Sequence, residues 1–174
     1  MRIRFDAQLK QLGEEMTHMG SMIESAIQDA TQAFLNQDVD TAKRIMAEDA
    51  YIDQAQKKIE NICFQLLIQQ QPVARDLRTI TAAMKMVTDM ERIGDQAADI
   101  ADIVKVTSLD VPDASIRLKD MAKATASMVT KCIDAYVKQD LNLAREVINS
   151  DDIVDDLFDE VKDLRLNGHV KGGG

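Results

Sequence analysis

Asp89-Met90-Glu91-Arg92-Ile93-Gly94-Asp95-Gln96-Ala97-Ala98-Asp99-Ile100-Ala101-Asp102 carries its acids at a spacing that has meaning only on a helix. At about 3.6 residues per turn, Glu91, Asp95, Asp99 and Asp102 share one face, while Met90, Ile93, Ala97 and Ala101 share another. Carboxylates this close repel one another unless water or a cation neutralises them. Taken alone, the stripe reads first as a solvated face of an acidic protein. A second pair, Asp49-x-x-x-Asp53, lies upstream on a segment that also reads as helix. Between the two stands Gln70-Gln71-Pro72, where proline suits the first position of a new helix and the chain reverses. If the hairpin folds back antiparallel about Pro72, residues equally far from it on either side lie at one height. Asp49 then meets Asp95, and Asp53 meets Glu91. Four converging acids point to a cation site, with Asp99 at its edge.

The fold class follows from the same periodicity, extended along the chain. Slid against itself by 102 residues, the sequence pairs Met19 with Met121, Ser25 with Ser127, and Gln37-Asp38 with Gln139-Asp140. The same offset pairs Ala42 with Ala144, Asp49 with Asp151, and Asp53 with Asp155. This is a duplicated helical unit. The spacing predicts helices over 5–36, 40–69, 73–106, 114–138 and 141–166, with Asp38 and Asp140 as N-caps after Gln-Asp turns. The expected architecture is all-α: tandem antiparallel three-helix bundles, with residues 1–108 as the first unit. Residues 109–174 form a partial second unit of two helices, lacking its third. By the repeat offset, a second acid stripe falls at roughly positions 193 and 197, so a continuation past Gly174 is expected, with a helix facing Asp151 and Asp155.

Composition bounds the function. The chain has 174 residues, 30 acids against 21 bases and a net charge of −9. Nucleic-acid binding, which needs a concentrated Lys/Arg surplus, is excluded as an expectation. Anionic lipid would repel such a chain unless basic residues cluster locally. No apolar run reaches membrane-spanning length and Met1–Asp6 lacks a signal-peptide core, so a cytoplasmic location without membrane insertion is expected. With two Tyr, four Phe and no Trp, the core must be built from Leu, Ile, Val, Ala and Met. Cys63 and Cys132 each sit in an apolar helical pattern and read as buried thiols. His18 and His169 are too few for zinc-type His/Cys ligation or a histidine-dependent nucleophile.

The segments Gln70-Gln71-Pro72-Val73-Ala74-Arg75-Asp76-Leu77-Arg78 and Thr88-Asp89-Met90-Glu91-Arg92-Ile93-Gly94-Asp95, following Asp49-x-x-x-Asp53, resemble those of the PhoU family. The resemblance implies tandem three-helix bundles and a cytoplasmic negative regulator of phosphate uptake and phosphate signalling, not an enzyme. Its implied partners are the subunits of a phosphate-specific ABC transporter and a membrane sensor kinase. It also implies metal on paired (Glu/Asp)-x-x-x-Asp motifs, here Asp49/Asp53 and Glu91/Asp95, with Asp151/Asp155 as half of a second site. The family often shows His where Gln96 stands and Asn where Asp99 stands. Replacing Asn by Asp adds an acid and favours harder cations.

Oxygen ligands alone leave the metal open among Fe, Mg, Mn and Zn. Two other functions fit the same acids: a metal-dependent hydrolase, since a hard cation can activate water, or a metal-free helical adaptor. Glu24 reads as surface, and Glu15-x-x-His18 lacks the companion motifs of a di-iron bundle. Arg75 and Arg78 are expected to pair with neighbouring acids such as Asp76. Gly94, inside the acid helix, suggests close helix approach or access for a ligand. A long acidic bundle with paired apolar faces also leads us to expect a homodimer.

Overall fold

The computed structural model of the chain describes residues 2–69, 71–106 and 112–140, together with Asn142, Leu143, Glu146 and Asp159. These residues form helices α1 (Arg2–Asn36), α2 (Val39–Gln69), α3 (Ala74–Val106) and α4 (Pro112–Val137). The predicted spans agree with these bounds to within a few residues at each end. Helices α1, α2 and α3 pack pairwise as an antiparallel three-helix bundle, and α4 seats on α1. Of the expected fifth helix only Asn142, Leu143, Glu146 and Asp159 are described, all helical, and the 108/109 unit boundary lies outside the described residues.

The core is the aromatic-poor one that composition requires. Leu12, Met16, Met19 and Ile23 of α1 are fully buried, against Ile59 and Leu66 of α2 and Ile80, Met86 and Met90 of α3. The α1 positions recur at three- and four-residue intervals, the stripe a helix presents to its neighbours. Cys63 and Cys132 are buried and are not joined in a disulfide. Gly20 lets α4 approach α1, because a Cβ there would run into Cδ1 of Ile133. Gly94 does the same between α3 and α2: a Cβ would stand 3.2 Å from Cγ2 of Ile52.

The duplication is visible in the hydrogen bonding of the two turns. Gln37 and Gln139 both adopt the left-handed conformation, at φ 54° and 65°. The Asp38 amide donates to the Ala33 carbonyl at 2.9 Å, and the Asp140 amide to Ala135 at 2.8 Å. Both bonds close a Schellman-type helix end. Each aspartate side chain then accepts from the amide three residues on, Asp38 from Thr41 at 3.1 Å and Asp140 from Leu143 at 3.2 Å, in the manner of an N-cap. The Thr41 hydroxyl and amide hold the Asp38 carboxyl below its ordinary range.

The α2–α3 turn differs from expectation in one detail. Pro72 does not occupy the first helical position. The first helical bond runs from the Leu77 amide to the Val73 carbonyl at 2.9 Å, so Val73 caps α3 and Pro72 precedes it. Gln71, at φ 41°, makes the reversal.

Candidate metal centre

Asp49 and Asp53 lie one turn apart on α2, and Glu91 and Asp95 one turn apart on α3. Because the α2–α3 turn is short, the register expected from Pro72 is the one adopted: Asp49 contacts Asp95, and Glu91 contacts both Asp53 and Asp95. Asp49, Asp53 and Asp95 can each present one oxygen so that all three lie within 4.8 Å of one another. Glu91 closes the group on the Asp53 side. Asp99, a further turn along α3, is exposed but adds its charge to the field on Asp49. Asp151 and Asp155 lie outside the described residues.

The electrostatics of the cluster are those of anions in want of a cation. Partial burial, then the charges of Asp95 and Asp53, push the Asp49 carboxyl up from 3.8 to about 6. Glu91 is pushed up to about 7, first by burial and then by Asp95 and Asp53. The charges that shift these two groups all belong to other carboxylates. One oxygen of Asp49, Oδ1, is buried with no hydrogen-bond partner. A buried carboxylate oxygen without a donor is costly, and a hard cation with oxygen ligands is the chemistry that relieves it. The donor set therefore fits such an ion, with Asp49, Asp53 and Asp95 close enough to share it and Glu91 beside them.

Other candidate residues are placed differently. Glu24 turns to α4, where it accepts a hydrogen bond from the Thr130 hydroxyl. Glu15 is taken by Lys58 of α2 at 2.8 Å, which removes it from any Glu-x-x-His site. Asp76 pairs neither with Arg75 nor with Arg78. Its partner is Arg2 of α1, at 2.7 Å, because the start of α1 lies beside the start of α3.

One feature beside the cluster escaped the sequence reading. Asp49 forms part of the wall of a cavity of about 320 Å³ that also includes His18, Ser21, Ser25, Gly94 and Ala98. Its signal was present as small residues at i,i+4 on two helices, Ser21/Ser25 and Gly94/Ala98, which leave room between backbones.

With this geometry in hand, comparison with known proteins is direct. The family model for the PhoU domain matches residues 16–104 and again 118–169. A relative from Clostridium acetobutylicum, the "Phosphate-specific transport system accessory protein PhoU homolog", is 40% identical over 165 residues, covering 94% of this chain and 75% of that one. A homolog of the same description from Aquifex aeolicus is 31% identical over 156 residues, covering 89% of this chain and 71% of its own. The crystal structure of PhoU from Pseudomonas aeruginosa superposes with a TM-score of 0.75 at 29% identity, covering 90% of this chain and 76% of that one. The phosphate transport system regulatory protein PhoU from Streptococcus pneumoniae also gives 0.75, at 27% identity, covering 90% and 74%. Two successive matches to one domain model, repeated turns with the same caps and a shared helical architecture lead to one conclusion: the chain belongs to the PhoU family.

Proposed function

We propose that this protein is a negative regulator of phosphate uptake and phosphate signalling, acting on the subunits of a phosphate-specific ABC transporter and on its membrane sensor kinase. The observation that carries this reading is family membership over most of the chain, with relatives described as accessory proteins of phosphate-specific transport. No described helix is long and apolar enough to cross a membrane, which suits a partner that docks from the cytoplasm. A homodimer is part of the proposal.

The regulator holds a cation from among Fe, Mg, Mn and Zn on Asp49, Asp53, Glu91 and Asp95, with Asp99 at the edge. Asp151 and Asp155 contribute to a second site. A bound cation would supply charge neutralisation and oxygen coordination, fastening α2 to α3 at one level. The residues themselves orient the site. The i,i+4 spacing points each pair across the helix interface, and close approach at Gly94 brings the backbones together. No catalytic step is assigned to the cluster.

The test has two parts. Elemental analysis of protein purified without chelator or affinity metal is expected to find a bound metal, lost in the double variant E91Q/D95N while helicity is retained. Co-purification from phosphate-replete cells is expected to recover transporter subunits. Unchanged metal content in the double variant would remove the site. Absence of transporter subunits from the wild-type preparation would remove the proposed partner.

A further inference from the structure

Helix interiors disfavour glycine relative to alanine, so each interior glycine calls for a reason. For Gly20 and Gly94 that reason is helix packing, against Ile133 and Ile52 respectively. Gly13, in the middle of α1, has none: a Cβ placed there would meet nothing within 4 Å. The space beside it is a hollow of about 670 Å³ between α1, α3 and the C-terminal end of α4, with Leu9, Tyr136 and Val137 among its walls. That volume lies in the range of small-molecule sites, about 300–1,000 Å³.

The polar groups of the hollow are unevenly committed. Arg2 is held by Asp76 at 2.7 Å and Asp6 at 3.3 Å. The Thr17 hydroxyl donates to the Gly13 carbonyl at 2.9 Å, and the Thr79 hydroxyl to Oε1 of Gln139 at 3.2 Å. Among the described residues, Lys10, Glu14 and Arg75 are exposed at the mouth of the hollow, with no ion pair to one another, and the Tyr136 hydroxyl is buried without a partner on the side of Cys63. Tyr136 is only 3% exposed, and its hydroxyl is a buried donor with nothing to receive it. Burial pushes its pKa up, which keeps the proton on the oxygen. Of the three groups at the mouth, two are cationic donors, and the single acid offsets only one charge. The missing component is therefore one that brings acceptor oxygens and negative charge, together with an apolar part to cover Leu9 and Val137.

We propose that the hollow between α1, α3 and α4 is a binding site for a small organic oxyanion, its charged group meeting Arg75 and Lys10 and its apolar part filling the space left by Gly13. The site is separate from the carboxylate cluster, none of whose four acids lines it. It does not depend on the metal reading.

The full chain, with chelator present, is titrated with 8-anilinonaphthalene-1-sulfonate and, in parallel, with the neutral analogue N-phenyl-1-naphthylamine, following fluorescence. We expect saturable binding of one sulfonate per chain, at least tenfold tighter than the neutral dye. Gly13→Leu should weaken it at least tenfold by filling the hollow, whereas Gly13→Ala should leave it within about twofold and D53N should leave it unchanged. Because Gly13→Leu could disturb packing, Arg75→Ala with Lys10→Ala provides a second reading, with an expected loss of tenfold or more and unchanged circular dichroism. Phenyl phosphate should displace the dye where equal inorganic phosphate does not. Equal affinity for the neutral dye would reduce the hollow to an apolar patch and overturn the proposal. So would binding indifferent to both Gly13→Leu and the Arg75/Lys10 pair, or no saturable binding by the folded chain. Displacement by inorganic phosphate as effective as by phenyl phosphate would overturn the assignment to an organic anion.

Discussion

Asp49→Asn, made in the full chain and studied with chelator present, is expected to raise the melting temperature at pH 7.5 and to leave it unchanged near pH 3. Partial burial and the charges of Asp95 and Asp53 lift the Asp49 carboxyl from 3.8 to about 6. At about 1.4 kcal/mol per pH unit, that displacement corresponds to at most about 3 kcal/mol. Asp49 is only half-buried, and solvent screening reduces the figure to about 1 kcal/mol. The folded state binds this proton more tightly than the unfolded chain does. The contribution is therefore fully present below pH 3.8 and is lost as pH climbs through about 6. Asparagine cannot ionise, so it escapes the loss. For a chain of this size, about 1 kcal/mol corresponds to about 3 °C. Thermal unfolding followed by circular dichroism at the two pH values reads the difference directly. Saturating Mn²⁺ should reverse the order at pH 7.5, because the wild type gains a ligand-linked stabilisation of about 2.7 kcal/mol at a hundredfold excess over Kd. A variant that melts lower than the wild type by the same amount at both pH values, with chelator present, would refute the reasoning. Asp49 would then be a hydrogen-bonded structural group, not a strained anion.

Gly20→Val should lower stability by about 1–3 kcal/mol through overpacking against Ile133, measured by urea unfolding, and Ile133→Ala in the same chain should recover part of the loss. Asp38→Ala removes the acceptor for the Thr41 amide and hydroxyl and should cost about 1 kcal/mol, read as a lower urea midpoint with an unchanged slope. Gly13→Ala should raise stability by up to about 1 kcal/mol, since the helix gains propensity and the new methyl meets open space; thermal unfolding checks it.

Much of the candidate site was legible in the chain because its geometry is local. The pairs Asp49/Asp53 and Glu91/Asp95 each lie within one helical turn, and a short reversal at Gln71–Val73 leaves little freedom in how α2 and α3 align. The exact place of Pro72 did not alter that register. The turns at Gln37-Asp38 and Gln139-Asp140 were equally legible, since an aspartate after a helix end and before a new apolar period has one strong use. Gly94 between packed helices followed from the same local logic.

The tertiary structure decided the contacts between segments far apart in the chain, which periodicity does not encode. Arg75 and Arg78 were the sequence neighbours of Asp76, yet Arg2 takes it across 74 positions because the bundle sets the beginning of α1 beside that of α3. Glu24 reads as surface in the sequence, and only the packing of α4 on α1 gives it Thr130, of a helix that no turn joins to α1, as a partner. The three interior glycines are alike as letters. Only the packed backbone separates Gly20 and Gly94, which admit a neighbouring helix, from Gly13, which opens onto a hollow. Helical spacing is written in a few consecutive residues by the geometry of one turn, whereas the choice of partner across the bundle depends on every side chain that must be buried at once.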